Sequence, residues 1–265
     1  MNKNEAMDKL ESHLKRLIDN GEWANFLKFA ASFPSYSFHN RLMIWAQNPD
    51  ATYVAGFKEW GKKGRYVKKG EKGMAIFAPL VKKDKNEETK SVIYGFRTVY
   101  VFDIEQTAGE PLPEAPAVHL LHQEVDEQLL QRMVDSCPFP VHESSDLNGA
   151  NGAFYHTDGH IEILGTNPIA QKIKTLAHEW AHGLLHHRSG LPPTIKEVEA
   201  ESTAFLVCQA LGIDSSDYTF GYLIGWSGDD AVEILRDSMG RIQQASDAII
   251  AAINSVDTTH SAIAS

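Results

Sequence analysis

The chain has 265 residues, with 25 Lys and Arg against 35 Asp and Glu, a net charge of −10 and 43% hydrophobic residues, a balance that supports a sizeable core and excludes a disordered or fibrous chain. No apolar run reaches the ~18 residues of a membrane span, and the start MNKNEAMDKLESHLKRL lacks the apolar centre of a signal peptide. Two cysteines, Cys137 and Cys208, are too few for a disulfide scaffold, so the expected setting is a reducing cytoplasm with both thiols buried, and no membrane partner.

The charge is unevenly spread. Residues 1–110 carry 18 Lys and Arg against 14 Asp and Glu, whereas the rest carry 7 against 21. In chain order, apolar spacing predicts helices over 5–19, 23–33 and 37–47, then strands over 74–81 and 92–102 separated by the solvated loop 83–90. Residues 108–117, AGEPLPEAPA, combine three prolines with a glycine and read as a linker at the point where the charge changes sign. Beyond it an amphipathic helix is expected over 119–135, and short strands over 139–142, 152–156 and 161–164. Helices follow over 168–187, 195–211 and 229–253, and the small polar residues 255–265 are expected to fray. The expected organisation is α+β in two domains, 1–107 and 118–265, joined by the linker 108–117.

The chemistry concentrates in His178-Glu179-Trp180-Ala181-His182, an H-E-x-x-H pattern inside an apolar-periodic helix. Histidines four apart share one helical face and can bind one metal ion, with Glu179 beside them as general base. A third ligand is expected from a second helix beginning Glu197-Val198-Glu199-Ala200-Glu201. Glu197 and Glu201 share a face, while Glu199 points elsewhere. Glu197 is assigned as the ligand of a Zn²⁺ ion and Glu201 as the carboxylate behind a ligating histidine. The reverse order and a plain solvated acidic face are the alternatives. His186 and His187 read as helix-end histidines favoured by the helix dipole.

In the first half, cations Lys58, Lys62, Lys63, Arg65, Lys68, Lys69 and Lys72 are interleaved with Phe57, Trp60 and Tyr66, a pattern suited to phosphates and unpaired bases. For Trp60 core packing is an equal reading; Tyr66, flanked by Arg65 and Lys68, is placed on a wet face. Asn40, Arg41 and Gln47, on the polar side of their helix, add candidate contacts.

Two blocks resemble the ArdC-like antirestriction proteins of plasmids and related mobile elements. The first runs through YSFHN (36–40), NPDAT (48–52), VAGFKEW (54–60), KKGEKG (68–73) and VFDIEQT (101–107); the second is TLAHEWAH (175–182) with EVEAE (197–201). The first is similar to the family's N-terminal single-stranded-DNA-binding domain and the second to its zincin-like metallopeptidase domain. Only 14 residues separate His182 from Glu197, a spacing closer to the compact ImmA/IrrE-type peptidases. The resemblance implies a single-stranded-DNA-binding zinc metallopeptidase acting on a protein substrate that the sequence does not identify; nor does it fix an oligomeric state. Alternatives are a DNA-binding antirestriction module on a non-catalytic zincin scaffold, or an ImmA-like protease that cleaves a repressor. Two further expectations concern peptide binding: Ile161-Glu162-Ile163-Leu164 as an edge strand that holds substrate, and Tyr222 as an oxyanion donor or, more readily, a core residue.

Overall fold

The computed structural model describes residues 3–83, 91–112, 125–187, 189–213 and 229–263. The architecture is mixed α and β. Three helices open the chain: α1 (Lys3–Asp19), α2 (Trp23–Ala31) and α3 (Phe38–Gln47). Their apolar faces meet around Trp23, Phe26 and Phe38, whose ring centroids lie 5.3–6.2 Å apart. Ser37 starts α3 by accepting the Asn40 backbone N–H at 3.3 Å.

A three-stranded antiparallel sheet follows, in the order β1-β4-β3, from β1 (Val54–Gly56), β3 (Met74–Lys83) and β4 (Ser91–Asp103). Met74, Ile76 and Val101 alternate onto the buried face, while Phe96 and Tyr100 stand on the other. A register shift between Leu80 and Val81 bends the long β3–β4 ladder. β3 is an edge, and α3 covers it. The Asn40 amide donates to Phe77 O at 2.8 Å and accepts from Phe77 N at 2.9 Å; the Gln47 amide does the same for Ala75 at 3.0 and 2.9 Å. Two amide side chains spaced seven residues apart thereby act as a missing strand.

Between β1 and β3 lie the short helix α4 (Phe57–Lys62) and β2 (Arg65–Val67), which pairs with β5 (Thr107–Gly109). Residues 108 and 109, which composition assigns to the linker, are therefore strand. Arg65 fixes them, donating to Thr107 Oγ1 at 2.8 Å and to the Glu110 carbonyl. The remainder of the expected linker past residue 112, and residues 119–124 of the expected helix, lie outside the described residues. That helix, α5 (Glu127–Ser136), starts where Asp126 accepts the Leu129 N–H at 2.9 Å.

A second small sheet, in the order β6-β8-β7, joins β6 (Val141–Ser144), β7 (Gly152–Tyr155) and β8 (His160–Leu164), β6 parallel and β7 antiparallel to β8. α6 (Ile169–His186) packs on it. α7 (Pro193–Ala210) begins with proline at its first position, where the missing N–H costs nothing. The last helix, α8 (Asp229–Ile263), continues ten residues past the expected end at 253.

One buried apolar cluster runs from Leu10 in α1 to Ile253 in α8 and includes residues of both halves. α8 ties them together: Gln243 accepts the Phe38 N–H at 2.6 Å and Arg236 pairs with Glu11 at 2.7 Å. Among the described residues no helix is long and apolar enough to cross a membrane.

Candidate metal centre

Two consecutive helices build the site. On α6, His178 and His182 lie one turn apart with their Nε2 atoms 3.0 Å from each other. α7 returns Glu197 across them, Oε2 at 3.5 Å from His178 Nε2 and Oε1 at 3.5 Å from His182 Nε2. One donor atom from each residue falls within 4.8 Å of the other two. Two imidazole lone pairs that face each other repel unless a proton or a cation lies between them. With a carboxylate oxygen added, the set is the two-nitrogen, one-oxygen donor group that divalent zinc and its neighbours accept. The residues present fit such an ion.

The electrostatics agree. Burial and the neighbouring His178 hold His182 well below the usual imidazole range, so it is neutral at pH 7 with a lone pair to give. Burial opposes charge on His178, but Glu197, Glu179 and Glu201 together outweigh it and raise its pKa. The hydrogen bond from His178 leads in lowering Glu197. Glu179 is buried, and that burial is the main reason its carboxyl is pushed up to about 7, against the lowering influence of His178 and of the Phe154 backbone N–H.

Close packing of sheet on helix sets this geometry. A Cβ at Gly152 would overlap Thr175 and come within 3.2 Å of Glu179 Cγ; one at Gly183 would strike the rings of Phe139 and Phe154. Glycine at both positions lets β7 and its neighbours approach α6. The strand expected to hold substrate is not an edge strand. β8, with Ile161–Leu164, is the central strand of its sheet, paired on both sides. Its backbone is spent; the strand beside Glu179 is the edge strand β7. Tyr222 lies outside the described residues.

Glu201 Oε1 is 3.9 Å from His178 Nδ1, beyond a direct hydrogen bond, and its Oε2 is buried without a partner. His186 ends α6, as expected. Its side chain is fully buried; Nδ1 meets His182 Nδ1 at 2.8 Å, and Nε2 meets Glu199 Oε2 at 3.2 Å, contacts that the dipole reading did not foresee. Glu199, set aside by its helical phase, is also fully buried. It accepts from Ser238 Oγ at 2.7 Å and from Arg241 Nε at 2.9 Å. Burial alone would raise its pKa, but His186, Arg241 and Ser238 prevail and lower it. The i, i+4 spacing of His182 and His186 was the available signal; Arg241 and Ser238, about forty residues on, left none.

In the first half the structure separates the candidates. Lys58, Lys62, Lys63, Lys68, Lys69, Lys72 and Tyr66 are exposed. Lys62 pairs with Glu59 at 2.7 Å and Lys68 donates to Glu105 O at 2.8 Å. Arg65 is half-buried in its clamp on β5. Other candidates are engaged within the protein. Trp60 is fully buried, with its indole donating to Phe102 O at 3.0 Å. Arg41 is buried and caps Tyr36 O and Pro34 O, and Asn40 and Gln47 hydrogen-bond along the β3 edge. Their partners are backbone groups, which sequence does not display. What sequence reading missed is the outer face of β4. There Phe96 and Tyr100 are 58% and 59% exposed, and Phe102 at the same parity meets Phe57, itself exposed, at 6.4 Å.

Fold and site together define a mixed α and β scaffold whose helix pair presents two histidines and a carboxylate. Residues 4–102 match the model of the N-terminal domain of anti-restriction factor ArdC. Two crystal structures of the antirestriction ArdC protein from the R388 plasmid share the fold. The metal-free form is 22% identical with a TM-score of 0.58, covering 83% of this chain and 86% of that one. The Mn(II)-bound form is 19% identical with a TM-score of 0.62, covering 92% and 97%. An uncharacterized protein of Bacillus anthracis is 26% identical across 96% of this chain. The chain spans about half of that relative's length, 51%.

Proposed function

We propose that this chain is a single-stranded-DNA-binding, zinc-dependent metallopeptidase of the antirestriction type. The observation that carries the enzymatic half is the convergence of His178, His182 and Glu197 donors beside a buried glutamate. The similarity in fold to an ArdC protein solved with Mn(II) supports a divalent ion there. When bound, the ion would supply a Lewis acid that polarises a carbonyl and acidifies water. The chain's own residues do the rest. Glu179, poised near neutrality, takes a proton from the attacking water and holds it on a carboxylate oxygen until the leaving amine accepts it. Gly152 leaves room for that carboxylate beside β7, and the outer edge of β7 offers main-chain groups to an extended peptide.

The DNA-binding half rests on the exposed aromatic face of β4 with Phe57 and Tyr66, in a region whose lysines reach solvent. Same-face positions of a strand repeat about every 7 Å, a spacing over which successive unpaired bases can stack without regard to sequence.

The test is one comparison. Purified protein should contain one equivalent of metal, and wild type should cleave a DNA-bound protein substrate. Glu179→Gln should keep metal, fold and DNA affinity and lose cleavage. Equal cleavage by both would leave a DNA-binding module on a non-catalytic scaffold; no metal in the wild type would remove the centre itself.

A further inference from the structure

We infer that His186, Glu199 and Arg241 are positioning residues that fix the tautomer and orientation of His182 for a divalent metal ion. The inference rests on the metal-centre reading and extends it to three side chains that touch no ion.

His186 cannot be a fourth ligand. It meets His182 at Nδ1, whereas the converging donors of His178 and Glu197 lie at His182 Nε2. It stands behind the ligand. A metal-binding imidazole must offer a lone pair at one nitrogen, so its proton must sit on the other. For His182 that means a proton on Nδ1, donated across 2.8 Å to His186 Nδ1. His186 Nδ1 can accept only if the His186 proton is on Nε2, and Nε2 faces Glu199 Oε2 at 3.2 Å. A carboxylate can only accept there, so Glu199 dictates the His186 tautomer, which dictates that of His182.

Glu199 is itself held. Its Oε1 accepts from Ser238 Oγ and from Arg241 Nε and Nη2, all on α8, and neither it nor His186 reaches solvent. A buried carboxylate with these partners has one orientation available. The relay therefore runs through three helices, α6, α7 and α8. The same α8 seats the first half through Gln243 and Arg236. Burial of His186 and Glu199 without the metal role would be an expensive way to fill a core.

The experiment strips full-length protein of metal and measures Zn²⁺ affinity by competition with a chromophoric chelator. In Glu199→Gln the amide N–H₂ can donate to His186 Nε2. That moves the His186 proton to Nδ1 and sets it against the proton on His182 Nδ1. A ~10- to 100-fold loss of affinity is expected, the usual range for an outer partner of a ligating histidine. His186→Leu removes the acceptor while Glu199 stays paired with Arg241 and Ser238, and it should lose affinity comparably. Nitrogen-15 NMR of the histidines should show His182 protonated at Nδ1 in wild type and mixed in both variants, a signature that a packing defect alone would not produce. Variants that bind Zn²⁺ as tightly as wild type, with His182 unchanged in tautomer, would overturn the inference while leaving the metal centre intact. A wild type that binds no Zn²⁺, or a His182→Ala variant that binds it undiminished, would instead remove the centre on which the inference stands.

Discussion

Trp23 Nε1 donates to Ser202 Oγ at 3.0 Å, a buried hydrogen bond between residues 179 positions apart. It joins α2 to α7, the helix that carries Glu197, inside an apolar cluster common to both halves of the chain. The helix that carries Glu197 is therefore seated partly on the N-terminal helices. Ser202→Ala should leave the indole N–H unpaired and cost about 1–3 kcal/mol. Heat or denaturant should unfold wild type in a single transition seen alike by fluorescence and circular dichroism. Two separated transitions would show that the halves fold independently.

The amides of Asn40 and Gln47 substitute for a neighbouring strand along β3. Replacing both with alanine exposes four backbone groups on that edge. We expect a loss of roughly 2–4 kcal/mol, at about 1 kcal/mol per hydrogen bond, and concentration-dependent association as bare edges pair. Size-exclusion chromatography across a dilution series checks it; a variant as stable and as monodisperse as wild type would contradict the edge-covering role.

How much of the molecule is legible in its sequence follows from the range of each signal. Helical periodicity places α1, α3, α6 and α7 within a few residues of their observed ends, because their patterns are local. His178, His182 and Glu197 can be grouped because the first two lie one turn apart and the third opens the next helix. The short pieces β1, α4, β2 and β5 escape, since three-residue strands are defined by their partners and not by alternation. Strand order escapes for the same reason, which puts the central β8 on an edge. Arg41 is misread because its carbonyl partners are silent in sequence; of the two readings open for Trp60, core packing is the one observed.

Cys137 offers a check on burial in solution. Its thiol is pushed up to about 11 by burial, with only partial relief from the Phe139 backbone hydrogen bond. The thiolate is the reactive form, so alkylation of native protein at pH 8 should run about 100-fold slower than for an ordinary thiol, as two pKa units imply. The rate should climb with pH toward 11. Mass spectrometry after iodoacetamide labelling reads it directly, and a half-maximal rate at or below pH 9 would contradict the placement.

Gly152 tests the packing of β7 on the site helix. Gly152→Ala forces a methyl into Thr175 and toward Glu179, an overpacking that typically costs about 1–3 kcal/mol. Stability should fall and the Glu179 carboxylate should be displaced, lowering any hydrolytic activity out of proportion to metal content. Pairing with Thr175→Ser, which removes the struck methyl, should restore stability in part. Additive losses in the double variant would refute the steric account.

The aromatic face of β4 gives the sharpest test of nucleic-acid binding. Phe96 and Tyr100 are exposed on the face of β4 opposite Val99 and Val101, which pack into the core, so truncating them removes stacking surface without opening a cavity. Each alanine should weaken binding of an unstructured single-stranded oligonucleotide by about 1–3 kcal/mol per base unstacked and leave the salt dependence nearly unchanged. Lys69→Glu and Lys72→Glu should act the other way. These lysines are exposed, so charge reversal should weaken binding and flatten the slope of log affinity against log salt by roughly 0.7 for each phosphate no longer neutralised. Trp60→Ala serves as the contrast, because Trp60 is buried and its loss should lower the melting temperature first. Fluorescence anisotropy across a salt series separates the three classes. If Phe96→Ala and Tyr100→Ala bind as wild type does while Trp60→Ala keeps its stability and loses binding, the stacking surface lies elsewhere.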